Sequence, residues 1–93
     1  VIFVLDSEDV HRMPEAIREL QALLNVEELK ACPILVLANK QDRPQALPLS
    51  EILDQLYFLH ECQRVWHLQG TVAITGEGLT AGLEWLSNVL PVR

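Results

Sequence analysis

Ile34-Leu35-Val36-Leu37-Ala38-Asn39-Lys40-Gln41-Asp42 is an apolar run that ends abruptly in an amide, an ammonium and a carboxylate, at Asn39, Lys40 and Asp42. In an open parallel α/β sheet, ligands bind just beyond the carboxyl ends of the strands. The run therefore reads as a buried strand carrying three polar side chains to its own C-terminal tip. Asp42 is the most discriminating of them. An ionised carboxylate accepts two parallel hydrogen bonds from a planar pair of N–H donors. The N1–H and N2–H₂ edge of guanine offers such a pair, and the same edge of adenine does not. Lys40 is able to lay its aliphatic stem along a ring face while its ammonium stays in water. Asn39 is able to bond both a base edge and neighbouring loops. The plainer reading of these residues is a polar turn after a strand, because a four-residue motif matches by chance often enough to need context.

That context lies on either side. Upstream, Val1-Ile2-Phe3-Val4-Leu5 is rich in β-branched and aromatic residues and reads as a strand buried on both faces. Asp6-Ser7-Glu8-Asp9 ends it and supplies caps for a helix expected over about residues 10–26. Met13, Ile17, Leu20 and Leu24 share one face of that helix, with Ala16 and Leu23 beside them, while Glu15, Arg18 and Glu19 face water. Pro14 belongs in a first helical turn, so regular helix is expected from there onward. Pro33 lacks a donor and suits the first position of the Ile34 strand.

Downstream, Pro48-Leu49-Ser50-Glu51 has the early Pro and acidic first turn of a helix start, and that helix is expected to end between Leu56 and Leu59. A third strand is expected over residues 65–73, more polar and therefore at an edge. Gly76 and Gly78 permit positive φ in a turn. A last helix follows over about residues 79–90, with Leu79, Leu83, Leu86 and Leu90 read as its core stripe and Trp85 and Val89 alongside. Strand alternates with helix three times, which predicts βα units and a parallel sheet with helices on its faces.

Composition narrows the partners. The 93 residues suit a single domain, and a net charge of −6 with no basic cluster argues against nucleic acid and anionic membrane surfaces. No apolar run approaches the length needed to span a bilayer, and no secretory leader pattern is visible. Cys32 and Cys62 do not form a disulfide framework, so a reduced, cytoplasmic chain is the default expectation. His60, Glu61, Cys62, His67 and Cys32 lack the spacing of paired zinc ligands and read as ordinary loop and surface residues. Trp66 and Trp85 read first as packing.

Taken together, several stretches resemble the C-terminal half of an ADP-ribosylation-factor-like small GTPase: Phe3-Val4-Leu5-Asp6-Ser7, Leu37 to Asp42, Ser50-Glu51-Ile52, Trp66-His67-Leu68-Gln69, Thr75-Gly76-Glu77-Gly78-Leu79 and Gly82 to Leu86. They run collinearly through essentially the whole chain. The resemblance implies the parallel three-stranded part of a P-loop small-GTPase fold, in three α/β/α layers, without the phosphate-binding N-terminal half, so that residues 1–93 form one partial G domain. It implies GTP or GDP as ligand, with Asn39 on the base and the loop scaffold, Lys40 over the ring and Asp42 on N1 and N2. It also implies a second base loop at Val72-Ala73-Ile74, where Ala73 would bond guanine O6 through its main-chain N–H. Val72 and Ile74 depart from the polar residues usual there. For an intact parent it implies Mg²⁺, slow GTP hydrolysis, a role in vesicle traffic on endomembranes, and effector, exchange-factor and GTPase-activating partners.

The phosphate machinery of that family is not found in these residues. No G-x-x-x-x-G-K-[ST] element is present, since Gly70, Gly76, Gly78 and Gly82 are the only glycines and Lys30 and Lys40 the only lysines. Phosphoryl transfer and γ-phosphate sensing are therefore not expected of this chain, and it offers no evident Mg²⁺ ligand or membrane-attachment signal. Base contacts alone are expected to give affinity no better than roughly millimolar, about −4 kcal/mol. The first strand is expected to present an open apolar edge that invites pairing with another chain. The contrasting reading is a nucleotide-independent interaction module or truncated isoform, presenting the Glu15 to Glu19 helix face and that open strand.

Overall fold

β2, Ile34–Asn39, runs through the middle of a three-stranded parallel sheet in the computed structural model, between β1 (Ile2–Asp6) and β3 (Trp66–Gly70). The structure describes residues 1–61, 64–72 and 74–90. The helices are α1 (Met13–Leu24), α2 (Leu49–Gln55), α3 (Phe58–Glu61) and α4 (Leu79–Val89), with 3₁₀ turns at Val10–Arg12 and Glu27–Leu29. As a central parallel strand, β2 must be apolar on both sides, and Ile34, Leu35, Val36, Leu37 and Ala38 are all buried. The register sets Phe3, Val36 and Leu68 side by side, and one residue earlier Ile2, Leu35 and His67. Because side chains alternate along a strand, these two rows lie on opposite faces.

The face of Phe3, Leu5, Ile34, Val36 and Ala38 is sealed. Met13 and Leu20 of α1, Ile52 of α2, Leu56 in the turn after it and Leu59 of α3 complete one buried cluster there. On the other face α4 lies over β2 and β3, as the expected three layers require. A methyl group built on Gly82 would stand 3.2 Å from Leu37 and 3.5 Å from Leu35, so the missing side chain lets the helix backbone settle close to the sheet. Trp85 stacks on His67 with ring centroids 5.2 Å apart. On the same face of β1, Ile2 and Val4 are exposed.

Several features depart from expectation. α1 begins at Met13, because Pro14 has no N–H to donate and the preceding residues settle into a 3₁₀ turn. The acidic residues before it give that turn and helix no side-chain cap; Asp6 instead accepts from the Glu8 N–H at 3.0 Å. The core stripe of α4 is corrected: Leu79, Leu83 and Leu90 are exposed, and the inward side is Gly82, Trp85, Leu86 and Val89. Close approach at Gly82 turns the helix toward its small residue rather than its leucines. β3 stops at Gly70, where the chain leaves the ladder for a tight loop closed by a Val72–Glu77 bridge.

Candidate functional site

A parallel sheet brings the C-terminal tips of its strands together at one end. Here Asp6 pairs in register with Asn39, and Ala38 with Gly70. The three residues that leave β2 are each tied to a neighbouring tip. The Asn39 side-chain oxygen accepts from the Thr71 hydroxyl at 3.2 Å, and its carbonyl accepts from the Ser7 N–H at 3.2 Å. Lys40 Nζ donates to Asp6 Oδ2 at 2.9 Å. Gln41 Nε2 donates to Ser7 Oγ at 2.8 Å and to the Leu47 carbonyl at 3.1 Å, while its backbone N–H donates to the Thr71 carbonyl at 3.2 Å.

Asp42 differs from its three neighbours. It is exposed, and its carboxylate has no hydrogen-bond or ion-pair partner among the described residues. It lines a cleft of about 290 Å³ together with Gln41, Leu49, Gly70, Thr71, Val72 and Glu77, so the β2 and β3 loops share one concavity. Lys40 adopts φ 61°, the left-handed region. A side chain there costs roughly 1–2 kcal/mol, and such a conformation persists where its surroundings over-determine it. The Asp6 pair and the Gln41 anchors supply that restraint.

The electrostatics follow from the contacts. The Lys40 ammonium holds the Asp6 carboxyl below the ordinary carboxylate range, with help from the Glu8 N–H. The same carboxylate pushes Lys40 up. Both side chains are partly exposed, so the pair acts more as a latch between β1 and β2 than as a source of stability. A larger groove of about 380 Å³ runs beside β1 and α1, lined by Asp6, Asp9, Glu15 and Glu19 with Arg12. Its carboxylates repel an anionic ligand such as a nucleotide.

Asn39, Lys40 and Asp42 thus stand at one end of the sheet, the first two engaged with protein and the third open. Ala73, expected to offer a main-chain N–H, lies outside the described residues, as does Cys62. In sequence Asp6 and Ser7 stand out only as strand end and cap, and Gln41 and Thr71 carry no evident role. Their signal was positional: in a parallel sheet, polar residues that end one strand face those that end the next. The turn beyond β3 is built on glycine. Gly78 has φ 81°, and a methyl group there would collide with the Gly70 carbonyl oxygen.

The family model of the ADP-ribosylation factor family matches residues 1–90 of this chain.

Proposed function

The chain belongs to the ADP-ribosylation factor family of GTP-binding small GTPases, and from that premise we propose that its β2 and β3 tips form the guanine-recognition part of the G domain. Family members bind GTP or GDP with Mg²⁺ and act through regulatory and effector proteins. The observation that carries the reading is the contrast within one tetrapeptide: three residues are bonded to the scaffold, and the fourth, Asp42, presents to a shared cleft a carboxylate with no partner among the described residues.

In this reading Asp42 accepts from guanine N1–H and N2–H₂. Each charge-assisted hydrogen bond contributes about 1.5–3 kcal/mol. Adenine offers no such donor pair and leaves the carboxylate desolvated without compensation. Lys40 lies over the ring, Asn39 ties the base loop to Thr71, and Ala73 supplies a main-chain donor to O6. Among the described residues no group of three His, Cys, Asp or Glu side chains could hold a metal ion. Residues 1–93 act as one unit of a G domain whose nucleotide state governs effector recruitment in vesicle traffic. No described helix is long and apolar enough to cross a membrane.

The test is a titration of GDP and ADP against the intact protein carrying this chain and against its Asp42→Asn variant. GDP preference is expected in the parent, and the substitution should weaken GDP by about ten- to a hundredfold with little change for ADP. Equal binding of GDP and ADP, or an Asp42→Asn protein indistinguishable from its parent, overturns the reading.

A further inference from the structure

We infer that Gln41 is a positioning residue for purine selectivity, aiming Asp42 through a half-buried clasp on Ser7; this rests on the reading of Asp42 given under Proposed function. Gln41 is the residue next to the open carboxylate, and it touches three segments at once. Both hydrogens of its amide are used, on Ser7 Oγ at 2.8 Å and the Leu47 carbonyl at 3.1 Å. The Leu47 carbonyl only accepts, which fixes the amide with its nitrogen inward. Ser7 is fully buried, and its own carbonyl accepts from the Leu47 N–H at 2.8 Å, so clasp and backbone close on each other. The Gln41 backbone N–H reaches the third strand's tip at the Thr71 carbonyl, 3.2 Å away. Its aliphatic stem fits over Gly70, where a methyl group would come within 3.2 Å of Cγ.

Asp42 has no side-chain restraint of its own among the described residues, so its direction is inherited from the backbone on either side. On one side that backbone is held by Gln41; on the other, the Arg43 N–H returns to the Lys40 carbonyl at 3.1 Å. A two-donor edge is read by a carboxylate only when both oxygens arrive together, and tolerance in such a site is about 10–20°. Loosening Gln41 should therefore cost selectivity before it costs the fold.

The experiment is a double-substitution cycle on the intact protein, reading affinity for GDP, for inosine diphosphate, which lacks the N2 donors, and for ADP. Gln41→Leu is expected to weaken GDP about tenfold and to narrow the ratio of GDP to inosine diphosphate, since misaim removes the second bond first. Ser7→Ala should act in the same direction by about threefold, because the Leu47 carbonyl still holds the amide. In an Asp42→Ala background both effects should shrink below about twofold, the signature of coupled sites. Equal penalties with and without Asp42, or an unchanged nucleotide ratio, overturn the positioning role and leave a structural one. An Asp42→Ala change that leaves GDP binding intact removes the proposed function and this inference with it. Where Gln41→Leu fails to fold by its thermal melt, Ser7→Ala, which deletes one oxygen, carries the same cycle to the same two outcomes.

Discussion

The two faces of the sheet are treated unequally. One is sealed by α1, α2 and α3 over Leu5, Ile34, Val36 and Ala38. The other is covered by α4, chiefly over β2 and β3, and at β1 Ile2 is 49% and Val4 57% exposed. The sealed face is where apolar burial stabilises the fold, at roughly 25 cal/mol per Å² removed from water. The half-covered face carries Asp6 and Asn39 at its end, and with them part of the candidate site. Strength and chemistry are thus separated: helices on one side hold the strands in register, so that their tips meet with polar side chains already paired.

The largest break of that comparison is Ile52→Ala on the sealed side. Removing a fully buried branched side chain should cost about 2–5 kcal/mol, read as a lower urea midpoint. A cost no greater than that of a surface substitution would mean that α2 does not seal this face. Gly78→Ala comes next. It places a side chain at positive φ against the Gly70 carbonyl, and should cost more than the roughly 1–2 kcal/mol of the left-handed backbone alone. Because Gly78 precedes α4, the loss should appear as faster hydrogen exchange in α4 than in α1.

A smaller effect is expected from pH at the strand tips. Asp6 has a lowered pKa when folded, so its contribution is complete above the ordinary carboxylate range and is lost as pH falls through the lowered value. Lys40 is raised, so its contribution is complete below the ordinary lysine range and is lost as pH rises through the raised value. Asp6→Asn should therefore flatten the acid limb of the stability profile measured by urea titration, and an unaltered limb would contradict the latch. The smallest effect belongs to Val4→Thr. An exposed β-branched side chain exchanged for a similar one should change stability by no more than about 0.5 kcal/mol. A loss as large as that of Ile52→Ala would show that the bare face is covered in the protein.

Arg64 shows how little of such detail a linear reading supplies. Its Nη2 donates to the Leu24 carbonyl at 3.0 Å and so caps the C-terminal end of α1 from 40 residues away. Nothing near Leu24 in sequence announces this, because the cap is made by the chain's return beside β3. The leucines of α4 carry the same lesson. Spacing alone placed Leu79, Leu83 and Leu90 on a core stripe, yet the sheet chose the side on which Gly82 permits the closest approach. Periodicity reports that a helix has an apolar side; it does not report how far around that side the contact lies when a glycine offers a nearer one.

What the residues determined unaided was the order of strands and helices, the parallel sheet and the end of it at which the polar residues of the candidate site stand. Those follow from local physics: unbroken apolar runs need burial on both faces, Pro14 and Pro48 bias where helices begin, and a strand that ends in Asn39-Lys40-Gln41-Asp42 must show those groups to solvent or to a ligand. What tertiary structure alone decided was which of the four stays open. Asn39, Lys40 and Gln41 bond Thr71, Asp6 and Ser7, partners 32 to 34 residues away that only strand pairing brings within hydrogen-bond reach, and Asp42 is left with no partner for its carboxylate among the described residues.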